Sequence, residues 1–172
     1  MTDDYLAGMR GTRLSGKQFF NEVLNVSDEP EIEYTWATGV AISKFLAGMK
    51  EGKIYGSHCD DCNKTMVPAM MFCYECFNPM SNYVELPDTG IINTFSLAYI
   101  NTDATRRDTP ELPIVVEIDG TTHAPSGFVH LLKEGTDVDK IKVGAKVKAV
   151  WKPEKERIGD ITDIMYFELK ED

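Results

Sequence analysis

A mainly β fold with helices at its N-terminal end is what this 172-residue sequence predicts, and three observations carry the prediction. All four cysteines fall in two Cys-x-x-Cys pairs separated by ten residues, which marks a small metal-held ribbon. Beyond them lie five runs of β-branched and aromatic residues, broken by Asp, Gly, Pro and Asn turns. A short helix- or turn-like segment sits between the third and fourth runs. Five strands with that insertion is the order of a barrel of the OB type, and an open sandwich also fits the count. Hydrophobic residues at 42% and aromatics at 10% are enough for a packed core, so wholesale disorder is excluded.

Along the chain, residues 5–25 mix apolar and polar positions at helical spacing, with Ser15 as an N-cap before KQFFNEVL. An acidic, Pro-containing joint follows at 27–33. Residues 36–50 read as a second helix with Phe45, Leu46 and Met49 on one side and Gly52 as its stop. Such helices either pack on the next domain or form an arm that docks on a partner subunit. The strand runs are 90–101, 112–119, 123–133, 146–151 and 161–169, with the insertion at 136–144. The expected organisation is a helical arm over 1–52, a zinc ribbon over 53–82 and an OB-fold domain over 83–172. No repeat or low-complexity segment interrupts it.

The chemistry concentrates in Cys59-Asp-Asp-Cys62 and Cys73-Tyr-Glu-Cys76. Each Cys-x-x-Cys turn points two thiolates at one ion, and two such knuckles complete a tetrahedral Cys₄ site with no position left for substrate. Disulfides do not suit a reducing cytosol, and a redox dithiol does not suit two matched pairs. Zinc is the expected ion. Iron is the rival, because rubredoxin uses the same ligands. His58 adjoins the first knuckle and, with four thiols present, is expected beside the site rather than in it. His123 and His130 sit in a strand-like run with no Ser or Asp at a catalytic spacing. Gly8 and Gly11 are too sparse for a phosphate loop. No cysteine is left as a nucleophile, no carboxylate pair stands out, and no self-contained active site is visible.

The formal charge of -10 is spread evenly along the chain. Only Arg106-Arg107 and the lysines of 140–155 approach a basic cluster, so a nucleic-acid backbone is a poor expected partner. No apolar run approaches the ~18 residues of a membrane span, and the acidic start has no secretory n- or h-region. The expectation is a cytoplasmic protein without membrane contact.

The run Lys44-Phe-Leu-Ala-Gly-Met-Lys-Glu-Gly-Lys-Ile-Tyr-Gly-Ser-His-Cys59, the two knuckles, Gly90-Ile-Ile-Asn-Thr-Phe-Ser96 and Val143-Gly-Ala-Lys-Val-Lys-Ala-Val150 occur in an order that resembles the DUF35 proteins. These combine a rubredoxin-like zinc ribbon with an OB-fold. The resemblance covers residues 40–170 and lies in the combination of pieces. Two features depart from it. Val67-Pro-Ala-Met-Met-Phe-Cys73 lacks the arginine of the Pro-Pro-Arg-like stretch common before the second knuckle, and the first forty residues are longer than a minimal member needs. The resemblance implies an accessory subunit that complexes with a thiolase or thiolase-like enzyme and helps hold or channel a CoA thioester. One pairing of this kind is the two-subunit thiolase that ends anaerobic toluene β-oxidation.

Coenzyme A presents phosphates and an adenine, which suit an arginine fork and an aromatic or methionine face. Arg106 and Arg107, in the loop expected over 101–110, form the sole adjacent arginine pair. A solvated pair beside Asp103 and Asp108 is the plainer reading. Met66, Met70, Met71 and Phe72 either fill the ribbon's core or offer an adaptable surface to a partner. Two other functions compete with the accessory-subunit reading. One is a nucleic-acid-binding module stacking bases on Phe95, Tyr99 and Phe128. The other is an iron-bearing electron carrier.

Overall fold

The computed structural model describes residues 15–23, 37–122 and 127–170. The chain divides into two compact units, Met1–Trp36 and Ala37–Asp172. In the first, Ser15 caps a helical turn over Gly16–Gln18 as the sequence predicts. Its hydroxyl accepts the Gln18 N–H at 3.2 Å, and the Gln18 side chain returns to the Ser15 N–H at 3.1 Å, closing a capping box. The turn continues as a π-helix over Phe19–Val23. The rest of the helix expected over 5–25, and the joint at 27–33, lie outside the described residues.

The second unit opens with helix α1, Gly39–Glu51. Ala41, Phe45 and Met49 recur every four residues, share one face and are buried. Gly52 ends the helix in the left-handed region (φ 76°), where its N–H turns back to the carbonyls of Gly48 and Met49. Strands β1 (Ile54–Cys59), β2 (Lys64–Met66) and β3 (Asn82–Leu86) form an antiparallel sheet in the order β2-β1-β3.

Then come β4 (Thr89–Phe95), β5 (Ala98–Ile100), β6 (Arg106–Glu111), β7 (Pro113–Ile118), β8 (Phe128–Leu131), β9 (Lys146–Trp151) and β10 (Ile164–Leu169). Five of them make a curled half-barrel in the order β10-β9-β4-β7-β8, with a 3₁₀ turn at Val138–Lys140 between β8 and β9. A parallel bridge between Leu132 and Phe167 brings the two ends of the sheet together. This is the mainly β architecture the sequence predicts. Among the described residues no helix is long and apolar enough to cross a membrane.

The core follows from alternation. In β7, Ile114, Val116 and Ile118 point inward and are buried, while Pro113, Val115 and Glu117 are partly exposed. They meet Ile92, Val147, Ala149, Ile164 and Phe167 from the neighbouring strands. Gly90 lies so close to β7 that a Cβ there would run into the Glu117 carbonyl oxygen. Helix α1 covers the seam between β8 and β10 through aromatic contacts, Phe45 to Phe128 at 6.1 Å and Phe128 to Phe167 at 6.2 Å.

The run expected as one strand over 90–101 is two. β4 ends at Phe95, and β5 leaves the barrel to pair with β6 as a separate hairpin. Arg106–Glu111 is therefore strand where a loop was expected. Its residues, RRDTPE, bury nothing and carry no apolar period. The fifth run begins as a 3₁₀ turn, Ile161–Asp163, before β10. Residues 123–126 of the third run lie outside the described residues.

That 3₁₀ turn ends on Asp163, which is fully buried. Its carboxylate accepts the backbone N–H groups of Ile158 (3.0 Å), Gly159 (2.7 Å) and Asp160 (3.1 Å), fixing the loop between β9 and β10. Burial by itself raises the carboxyl pKa, but the three donors outweigh it and hold the group below its ordinary 3.8. Asp163→Asn puts an NH₂ against these donors, and the expected loss is about 1–3 kcal/mol at pH 7. A folded pKa below the unfolded one stabilises above the unfolded value and loses that contribution as pH falls through the folded value. Denaturation of both proteins should therefore show a gap that is constant near neutrality and narrows in acid. An equal gap at all pH values would contradict this role.

Candidate functional site

β1 delivers Cys59 at its last position, and the chain reverses through Asp60–Asn63 into β2. Asn63 takes the left-handed conformation (φ 51°) straight after Cys62, and Phe77 does the same (φ 58°) straight after Cys76. The two knuckles are thus built alike. The Cys59 sulfur receives the backbone N–H groups of Cys62 and Asp61, and the Cys73 sulfur those of Cys76 and Glu75. The Phe77 N–H closes the second turn on the Cys73 carbonyl at 3.0 Å.

All four sulfurs lie within 4.8 Å of one another. Cys59 and Cys76 Sγ are 3.7 Å apart, and Cys62 and Cys73 Sγ 3.8 Å. A tetrahedron of sulfurs at about 2.3 Å from a central ion has edges of about 3.8 Å. The spacing and the all-thiolate donor set therefore fit a metal ion such as Zn²⁺, with every ligand position filled. Protons are shared unequally among thiols this close. Backbone N–H donors from Cys76 and Glu75 lower the Cys73 pKa to about 7. The hydrogen bond with Cys76, followed by burial, pushes Cys62 up to about 12. The amides thus favour a thiolate at Cys73, the form in which sulfur binds metal.

Side chains tie the knuckles to one another. Asn78 donates to Asp61 at 2.7 Å, Asn82 to Asp60 at 3.3 Å, and Lys64 pairs with Glu75. His58 stands beside the site, with Nδ1 2.9 Å from the Thr65 hydroxyl and Nε2 3.7 Å from Asp60, and it is not among the clustered ligands. Met66 and Met80 are buried against Cys59 and Cys73. Met70, Met71 and Phe72 are exposed, as is Phe77 at 75%. The methionine-rich stretch thus divides, with Met66 in the ribbon's core and its later residues on the surface.

Arg106 and Arg107 are successive residues of β6, so their side chains leave opposite faces of the strand. Arg107 is engaged within the hairpin, donating to Asn101 Oδ1 at 3.0 Å and to the Thr109 carbonyl at 3.4 Å. Arg106 is exposed, and so are Tyr99 and Ile100 on β5. Phe95 and Phe128 pack against the main core, which leaves Tyr99 as the exposed ring of the three. His130 is half-buried edge-on to Phe167, and His123 lies outside the described residues. The left-handed turn at Phe77 was hidden in the sequence, because a bulky aromatic stands where glycine would mark it, whereas Asn63 is a residue that adopts this conformation readily.

Each chain should hold one metal ion, read by elemental analysis of purified protein. Cys73→Ser should lose it together with the ribbon's protection from hydrogen exchange, whereas His58→Ala should keep full metal content. Loss of metal in the histidine variant would make His58 a ligand. Phe77→Gly removes a left-handed non-glycine residue and should raise the melting temperature, by about 1 kcal/mol in stability; a lower melting temperature would contradict this account of the turn.

No protein-family model matches the chain, and no curated protein does. Among solved structures, a protein of unknown function from the DUF35 family of Sulfolobus solfataricus is 23% identical, with a TM-score of 0.59 over 77% of this chain and 87% of its own. A chain of an Ltp2-ChsH2(DUF35) aldolase is 20% identical, with a TM-score of 0.55 over 78% of this chain and 98% of its own. What is shared at these identities is the fold. The chain has the fold of the DUF35 proteins, a four-cysteine ribbon joined to a curled five-stranded half-barrel.

Proposed function

We propose that this chain is a non-catalytic accessory subunit of a thiolase or thiolase-like complex that handles acyl-CoA. In this reading it is organised as a helical arm over 1–52, a zinc ribbon over 53–82 and an OB-fold domain over 83–172. The observation that carries the proposal is the fold shared with a chain of the Ltp2-ChsH2(DUF35) aldolase. The site chemistry supports it. All four thiols are gathered in one closed cluster, so Zn²⁺ there orders the ribbon and offers nothing to a substrate. The reacting groups then belong to the partner. The exposed Met70, Met71, Phe72 and Phe77 give the ribbon an adaptable apolar surface of the kind that partners cover. Arg106, beside Tyr99 and Ile100 on the outer hairpin, is the guanidinium best placed for a CoA phosphate, with Arg107 steadying the hairpin from its other face.

The test is affinity purification of the tagged chain from its native cells, with mass spectrometry of what accompanies it. A near-stoichiometric thiolase or thiolase-like enzyme is the expected result, and the enzymes recovered with it would identify the acyl group. Met71→Glu with Phe72→Glu should reduce that recovery at least tenfold while metal content stays unchanged. Recovery of RNA or ribosomal proteins, or of the chain alone, would overturn the proposal.

A further inference from the structure

Among the described residues, β8 and β10 are joined by the single bridge of Leu132 to Phe167, where the Lys133 N–H also reaches the Phe167 carbonyl at 2.8 Å. Beside that bridge is a cavity of about 420 Å³ lined by His130, Leu131, Lys152, Thr162, Ile164 and Met165. Its volume lies in the range of small-molecule sites, roughly 300–1,000 Å³. Its wall is mostly apolar, and the polar side chains that line it are those of Lys152, Thr162 and His130.

The Lys152 ammonium donates to the Thr162 hydroxyl at 3.2 Å. The ion pairs among the described residues involve Lys53, His58 and Lys64, and none reaches Lys152. The Asp163 carboxylate is near enough to feel this charge, but it is occupied by three backbone N–H groups. His130 contributes a second donor. Its Nδ1 accepts the Leu131 N–H at 2.8 Å, so the neutral ring carries its proton on Nε2. That nitrogen lies 3.4 Å from the Ile161 carbonyl, a long contact that leaves the proton available. Phe167 packs at 5.5 Å and 71° and holds the ring in place. Lys152 is equally fixed, its N–H on the Asp163 carbonyl at 2.8 Å and its own carbonyl accepting from Arg157 Nε at 2.8 Å.

Lys152, Thr162 and His130, each with an N–H or O–H to donate, therefore line one mostly apolar cavity, and no carboxylate side chain lines it with them. We propose that this cavity binds a monocarboxylate with an apolar tail. The carboxylate oxygens take the donors of Lys152, Thr162 and His130, and the tail lies on Leu131, Ile164 and Met165. A single cation balances a single negative charge, whereas a phosphate dianion would be left half compensated. The inference stands on the isolated chain and does not rest on the accessory-subunit reading.

The full chain, labelled with ¹³C at its Met, Ile and Leu methyl groups, would be titrated with octanoate and, separately, with 1-octanol. Octanoate should shift the methyl signals of Met165, Ile164 and Leu131 saturably, and the alcohol should bind at least tenfold more weakly. Lys152→Met should weaken octanoate at least tenfold, leave octanol unchanged and keep the wild-type melting temperature. Thr162→Val, which removes one donor and no charge, should weaken octanoate about threefold and serves if the lysine variant does not fold. Equal binding of acid and alcohol, shifts confined to other methyl groups, or no shifts at all would overturn the proposal. No thiolase is present in the experiment, so its outcome is separable from that of the affinity purification.

Discussion

The convergence of four sulfurs is the constraint on which the ribbon depends. Its buried cluster consists of Cys59, Met66, Cys73 and Met80, and two of those four belong to the four-cysteine cluster. Burying Met66 and Met80 contributes about 1.5–3 kcal/mol each, whereas a structural Zn²⁺ supplies on the order of 10 kcal/mol. A bound ion would therefore dominate the order of the knuckles. β1 connects that order to the rest of the fold, with Cys59 in the small cluster at one end and Ile54 in the main core at the other. Asn78, Asn82 and Glu75 reach across from the second half of the ribbon to Asp61, Asp60 and Lys64, so the two knuckles are positioned as a pair.

The half-barrel is closed by different means. Between β8 and β10 packing replaces most of the backbone ladder, with Phe45 of α1 edge-on to Phe128 and Phe128 tilted against Phe167. The loop from β9 to β10 is held by the Asp163 carboxylate, whose three N–H donors more than offset the penalty of burying it. The same carboxylate anchors the loop that leads to Thr162 and Ile164, two of the residues lining the seam cavity.

What the sequence showed depended on whether burial imposed a period. Cysteine spacing revealed the four-cysteine cluster because tetrahedral ligation needs those intervals. Ala41, Phe45 and Met49 marked α1, and alternation marked β7, because each element has one face in the core. The hairpin of β5 and β6 was illegible for the opposite reason. RRDTPE buries nothing, and what makes it a strand is pairing with β5, which leaves no trace in composition. Arg106 and Arg107 looked like a fork as neighbours in sequence, and the strand sends them apart. Phe77 concealed a turn that glycine would have announced. Lys152 and Thr162 meet across the β9–β10 connection, and only closure of the sheet brings His130 to the same cavity.

In the proposed reading this chain is a scaffold, and the reacting groups belong to a partner. Reconstitution tests that claim most directly. Cleavage of the acyl-CoA would be assayed with this chain alone, with the co-purifying thiolase alone, and with both together. The account predicts no turnover by this chain, at least tenfold less by the thiolase alone than by the pair, and restoration on mixing. Turnover by this chain in the absence of any partner would contradict it.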